Sequence, residues 1–283
     1  MEFGTHLFAT EHSIQPSVFA KESEDRGFES VWFSEHTHIP TDFLNSGDGS
    51  RKLPDYYWQT FDPFIASTLA AAATHTIRIG TGVSLVLEHD VIALAKTVAT
   101  VDQISSGRFI FGVGPGWLAG EMENHGVSYS SRYRHIDEQM SAMKAIWSEE
   151  EAEYHGDFVH FSSMKSFPKP FQSPFPPIIG GGGTGSKSLG FIVQHCDGWM
   201  PILGQTDWTT LKDGISKLHL TAQMAGREPE GFELSIFCWS PPDESTLEDM
   251  LLHGIKKIVI SFEARSELES LSLLDEYAEL IPQ

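Results

Sequence analysis

Glu35, His36 and His38 follow the apolar run VWFS. A histidine at a strand end can take or give a proton near neutral pH, and it can also bind a metal. His6 lies toward the end of an earlier strand-like run, GTHLF, so a pair of strand-end histidines leaves metal-dependent hydrolysis open beside proton transfer. The plain alternative for His36 is a hydrogen-bonded structural role. Glycines supply the other signal. RFIFGVGPGW (Arg108–Trp117) runs from apolar residues into Gly112, Gly114 and Gly116, and PPIIGGGG (Pro176–Gly183) ends the same way. Without Cβ, backbone N–H groups can approach a flat or phosphorylated ligand. Both glycine-lined strand ends then fit one cofactor site built from separate loops.

GGGGTGS, Gly180–Ser186, stands between a strand and a helix pattern. Successive small residues form a nest of N–H donors, and the helix start adds partial positive charge, so the loop reads as a phosphate site with Thr184, Ser186 and Lys187 as further donors. A merely flexible loop is the alternative. Gly180, Gly182 and Gly185 also match GxGxxG, but Asp197 precedes Gly198 instead of ending a second Rossmann strand. Trp117, Trp199 and Trp239 follow strand ends and either stack on a planar ring or pack in the core. Arg132 and Arg134 meet either an anionic ligand or the abundant surface acids.

The elements that must position these groups alternate strand and helix. GTHLF, VWFSEH, IRIGTGVSLVL, RFIFGVG, PPIIGG, DGWMPI, FELSIFCW and KKIVISF read as strands. Helices are expected over Ser17–Arg26, from Pro63 to Thr74 behind an Asp62 N-cap, after Asp90 as far as Gly107, around Ile136–Trp147, and over Ser186–His195, Trp208–Met224, Thr246–His253 and Leu268–Leu280. Asn45–Ser50 is a polar loop. Glu149–Pro177, rich in acids, aromatics and prolines, reads as an insertion with a hairpin at YHGDFVHF, packing over the barrel rim. Strand–helix repetition of this kind predicts a single α/β domain over 1–283, a (β/α)8 TIM barrel with the 149–177 insertion after its fourth unit; an open doubly wound sheet is the competitor.

Composition sets the partners. Across 283 residues, 40% are hydrophobic, and Asp+Glu 39 against Lys+Arg 19 gives a net charge of −20. That field repels nucleic acid and anionic membranes. Cys196 and Cys238 form no framework or CxxC pair, which suits a reducing cytosol. The opening MEFGTHLF reads as a strand with no signal peptide, and no apolar run is long enough to span a bilayer, so a cytoplasmic location is expected.

IRIGTGVSLVL, DVIALAKTVATVDQISSGRFIFGVGPGW, GEMENHGV, Arg132 and IDEQMSAMKAIW together resemble the luciferase-like monooxygenase superfamily, above all its subgroup dependent on the deazaflavin coenzyme F420. FPKPFQSPFPPIIGGGG and HCDGWMPI match the family's second half, so the resemblance covers most of Asp62–Ile202 and is architectural beyond Gln205. It implies an oxidoreductase or monooxygenase barrel that binds F420, the first choice, or FMN at the strand C-terminal ends. It implies a cis peptide at Gly82-Val83 behind the cofactor ring, His36 as the catalytic histidine with Glu35 as its neighbour, and cofactor contacts at Gly82, Val83, Gly114, Gly116, Trp117, Gly181, Gly182 and Gly183, to which the reading of the glycine loop adds Ser186. No metal is part of this set. The implied partners are a small-molecule substrate acted on by hydride transfer or oxygen insertion and, as one option, a second copy of the chain in a homodimer.

The chain departs from the family at LVLEHD, where the subgroup often carries a proline and a basic residue, and at Pro115, where luciferases carry a phosphate-binding arginine. Both changes remove positive charge and bear on F420 against FMN. From another functional class, a barrel of the same superfamily that binds a ligand without turnover stays open.

Overall fold

The computed structural model describes residues 1–45 and 53–282; most of the polar Asn45–Ser50 loop lies outside them. Eight parallel strands make the barrel: β1 Glu2–Leu7, β2 Ser30–Phe33, β3 Arg78–Thr81, β4 Phe109–Gly114, β5 Ile178–Gly181, β6 Gly198–Met200, β7 Glu233–Cys238 and β8 Lys257–Phe262. The ring closes where β8 runs parallel to β1 from Glu2↔Lys257 to Leu7↔Phe262. The closed order excludes the open sheet. Short extensions, Ser84–Leu85 and Ile202–Leu203, carry β3 and β6 onward past local breaks.

Each strand is followed by a helix: α1 Pro16–Asp25, α2 Pro63–Ala73, α3 Val91–Ile104, α4 Arg132–Ser148, α5 Ser186–His195, α6 Trp208–Met224, α7 Glu244–Leu252 and α8 Glu267–Ala278. Their starts follow from local chemistry. Asp62, Asp90, Asp207 and Asp243 each accept N-terminal backbone N–H groups, and Ser266 with Glu269 completes a capping box. Caps of this type contribute about 1 kcal/mol each. Gly27 (φ 84°) and Gly107 (φ 81°) turn the chain out of α1 and α3, a backbone region that glycine enters without steric cost.

Inside the barrel, Trp32, Ile110, Ile179, Met200, Phe237 and Val259 form one apolar layer. Glycines make room for it. A Cβ on Gly80 would lie 2.3 Å from the Trp32 ring, and one on Gly112 would lie 1.8 Å from the Thr81 carbonyl oxygen. Gly112 therefore serves interior packing, not close approach to a ligand. Below this layer, the fully buried Lys257 sits 3.0 Å from Glu233 Oε1 and 2.9 Å from Glu29 Oε2, the latter a charge contact without hydrogen-bond alignment. Arg78 lies 3.4 Å from Glu29, so paired charges close the bottom of the barrel.

The insertion carries the expected hairpin, Ala152–His155 paired antiparallel with His160–Met164. Its turn is pinned to α4, where Glu138 accepts the N–H groups of Asp157, Phe158 and Val159. Gln172 then bonds Asp102 at the end of α3. These contacts hold 149–177 along the outside of α3 and α4. The segment contributes no residue to the barrel's mouth cavity, contrary to the expectation that it packs over the rim. Among the described residues, no helix is long and apolar enough to cross a membrane.

Candidate active site

The strand C-terminal ends open into a cavity of about 330 Å³, within the size range of small-molecule sites. Its floor is the β3 break. The Gly82-Val83 peptide is cis, and Val83 packs on the interior layer that contains Trp32. The glycine ends of β4 and β5 flank this valine: a Cβ on Gly114 would lie 2.9 Å, and one on Gly181 3.0 Å, from its methyl groups. Side chains at either position would displace Val83, which explains why these strand ends are glycine. Phe8, Tyr57, Trp117, Phe237 and Trp239 supply aromatic walls.

His36 lines this cavity from the end of β2. Its Nδ1 lies 2.8 Å from Glu121 Oε2, with side-chain exposures of 7% and 1%. Tyr57 leans on the ring and Trp117 meets it edge-on. Glu121 comes from the short helix Ala119–Asn124, and its other oxygen accepts the Thr37 N–H at 3.0 Å. Glu35 also lines the cavity, but its carboxylate accepts from Ser84 Oγ and Leu85 N and meets His89 Nε2. These bonds tie the β2 end to the β3 extension, an orienting function for Glu35.

His6 is fully buried beneath the floor, between Ser261 at Nδ1 and Ser34 at Nε2. Burial pushes its pKa down to about 3, so it is a neutral strut that holds Ser34, whose hydroxyl lies 3.3 Å from the Gly82 carbonyl. With both ring nitrogens engaged, His6 is not poised to bind a metal. Among the described residues, no group of three or more His, Cys, Asp or Glu converges as a metal site.

Glu88 stands in the same buried carboxylate group. Burial first, then the neighbouring Glu121 charge, pushes its carboxyl up to about 8, although Thr37 Oγ1 donates to it at 2.9 Å.

At the mouth, Arg132, Tyr133, Gly183, Gly185, Ser186, Lys187 and Ser188 line a second recess; Arg132, Tyr133 and Gly183 belong to both cavities. A Cβ on Gly183 or Gly185 would meet nothing within 4 Å. Gly182 differs. Its φ is 138°, Trp199 Nε1 donates to its carbonyl at 3.0 Å, and a Cβ would fall 2.6 Å from Ser188 Oγ. Trp199 is therefore a core residue that fixes the glycine loop. Arg132 lies 3.7 Å over the Tyr129 ring and donates Nη1 to the Tyr129 carbonyl, while its buried Nε has no hydrogen-bond partner among the described residues. An orphaned guanidinium N–H beside an open glycine loop at the α5 N-terminus fits an anionic group, phosphate above all.

The structure gathers His36, Glu35, Gly82, Val83, Gly114, Gly116, Trp117, Gly181, Gly182 and Gly183 on one cavity and puts Ser186 on the adjoining recess. Arg134 pairs with Asp157 on the surface, as the acid-rich composition suggests, but Arg132 pairs with no acid among the described residues. Glu121 carries no role in the sequence, and Tyr57 is legible there only as the end of a loop expected to shape the pocket. Their signals are weak, since each belongs to a short helix outside the strand–helix rhythm.

A family model described as luciferase-like monooxygenase matches residues 17–272. An uncharacterised protein of Mycobacterium tuberculosis is 40% identical over 203 residues, 71% of this chain and 72% of that protein. The FMNH2-dependent dimethylsulfone monooxygenase of Pseudomonas putida is 39% identical over 93 residues, 32% of this chain and 26% of that enzyme. The F420-dependent glucose-6-phosphate dehydrogenase of Kineococcus radiotolerans is 27% identical over 212 residues, 70% and 57% of the two chains. Among solved structures, the monooxygenase RslO1 from Streptomyces bottropensis superposes with a TM-score of 0.80 at 20% identity, over 99% of this chain and 98% of that one, a likeness of fold.

Proposed function

This chain belongs to the luciferase-like monooxygenase family, and we propose that it is a cytoplasmic oxidoreductase that uses coenzyme F420, or FMN in its place, on a small organic substrate. The observation that carries the reading is the convergence of His36, the Val83 floor, Arg132 and Gly183 on one cavity, with the glycine-loop recess adjoining it. When bound, the cofactor supplies hydride transfer, and a flavin can also support oxygen insertion. The protein's own residues do the rest. Val83 and the glycine strand ends offer a flat apolar bed for a fused ring. Arg132, Ser186 and the N–H groups of Gly183–Gly185 hold the phosphate. The aromatic walls exclude water, and His36 exchanges a proton with substrate beside the ring.

F420 is the first choice because an F420-dependent relative aligns over most of the chain. FMN is the second reading. Arg132 and Lys187 are the cations that line the two recesses among the described residues, a modest positive charge that matches one phosphate monoester.

The test is a titration of the purified protein with F420 and FMN side by side, followed by turnover with the cofactor that binds. One of the two should bind saturably. His36→Ala should change its affinity little and lower turnover by roughly 10²-fold or more, the range of general acid–base groups. Binding of neither cofactor, or full turnover by His36→Ala, would contradict the proposal.

A further inference from the structure

Glu121 has no place in the cofactor contacts, yet its contacts decide what His36 can do. A carboxylate accepts hydrogen bonds and does not donate them. Its Oε1 receives the backbone N–H groups of Thr37 at 3.0 Å and His38 at 3.4 Å, and its Oε2 lies 2.8 Å from His36 Nδ1. The ring hydrogen of a neutral His36 therefore sits on Nδ1. Among the described residues no protein group bonds Nε2, the other ring nitrogen of a side chain that lines the cavity. Tyr57 and Trp117 pack the ring on its remaining sides and limit its rotation.

We propose that Glu121 is a positioning residue that locks His36 in the Nδ1–H form, so that its Nε2 lone pair enters the reaction as a proton acceptor. The acceptor role rests on the functional reading above; the locked form does not. A proton taken from substrate at Nε2 produces an imidazolium, and its charge is offset by the Glu121 carboxylate already bonded to the ring. Among the described residues, the other titratable groups around this pair include Tyr57 against the ring, Glu35 and His38 beside it in the chain, Glu88 and His89 from the segment after β3, and His125 from the end of the Glu121 helix. Thr37 connects three of them, since its hydroxyl meets Glu88, His38 and His125.

Glu121→Gln tests the lock. Thr37 N–H still requires an acceptor at the Oε1 position, so the amide oxygen stays there and the amide NH2 faces His36 Nδ1. The ring must then accept at Nδ1 and carry its hydrogen on Nε2. Proton–nitrogen correlation spectra of histidine-labelled protein, without cofactor or substrate, report which nitrogen is protonated, and the resonances lost in His36→Ala assign the ring. At a pH where the ring is neutral, the parent should show protonated Nδ1 and bare Nε2, and Glu121→Gln the reverse. A parent ring protonated at Nε2 would overturn the proposal, and this measurement decides even if the variant fails to fold. An unchanged pattern in a folded Glu121→Gln would also overturn it. Where turnover is measured, the Glu121→Gln loss should disappear in a His36→Ala background. Independent, multiplying losses would place Glu121's effect elsewhere. Because the spectra need no ligand, failure to bind F420 or FMN leaves them readable and counts against the functional reading alone.

Discussion

A carboxyl buried among other carboxylates keeps its proton, and Glu88, with its side chain 1% exposed, is so placed. Its folded pKa of about 8 lies above the ordinary 4.5. Folding therefore favours the protonated form; the stabilising difference is complete below about 4.5 and is lost as pH rises through about 8. Glu88→Gln is neutral throughout. It should melt above the parent at pH 9 and lose most of that advantage at pH 5, and equal offsets at both values would show that Glu88 does not titrate in this window. At this scale the sequence was legible wherever a residue stood at a strand end. His36 stands two residues beyond VWFS, and the glycines of RFIFGVGPGW announce a crowded site. Glu121 and Glu88 are silent in the sequence because their meaning lies in partners far along the chain. Arg132 is ambiguous for the same reason: an arginine at a helix start looks identical whether an acid or a cavity lies ahead of it.

Among the elements, the loop from β5 to α5 makes the sharpest demand on its residues. Gly183 faces open space, whereas Gly182 holds a backbone angle that side chains rarely adopt and has Ser188 against it. Gly183→Val should weaken binding of the cofactor about tenfold or more with little change in melting temperature. Gly182→Val should weaken binding and also destabilise the fold, since it adds strain of order 1–3 kcal/mol. If Gly183→Val binds normally, the phosphate is held elsewhere. Helix starts were readable because capping is local chemistry: Asp62 and Asp90 do what their positions before apolar runs predict. The glycines of the strands were only partly readable. Gly112 looks like a ligand-approach position and Gly80 like an ordinary strand residue; their purpose, room for the Thr81 carbonyl and for Trp32, exists only once neighbouring strands are in register.

For the whole molecule, counting strand–helix units sufficed to predict closure, because parallel strands joined by helices on one side form a ring when there are eight. The path of 149–177 was not countable. It depends on Glu138 and Asp102, whose side chains capture the segment's backbone on the barrel's flank. The closed barrel has one sealed end, held by Lys257 and its acids, and one open end where the glycine loops, His36 and Arg132 meet. The direct measurement of that division is amide hydrogen exchange across the chain, with and without a saturating amount of the cofactor that binds. Slowed exchange is expected at Gly82–Leu85, Gly114–Trp117 and Gly181–Ser188, with the β-strand starts near Lys257 unchanged. Protection confined to the sealed end or to the insertion, or none at saturation, would contradict a cofactor held at the mouth of the barrel.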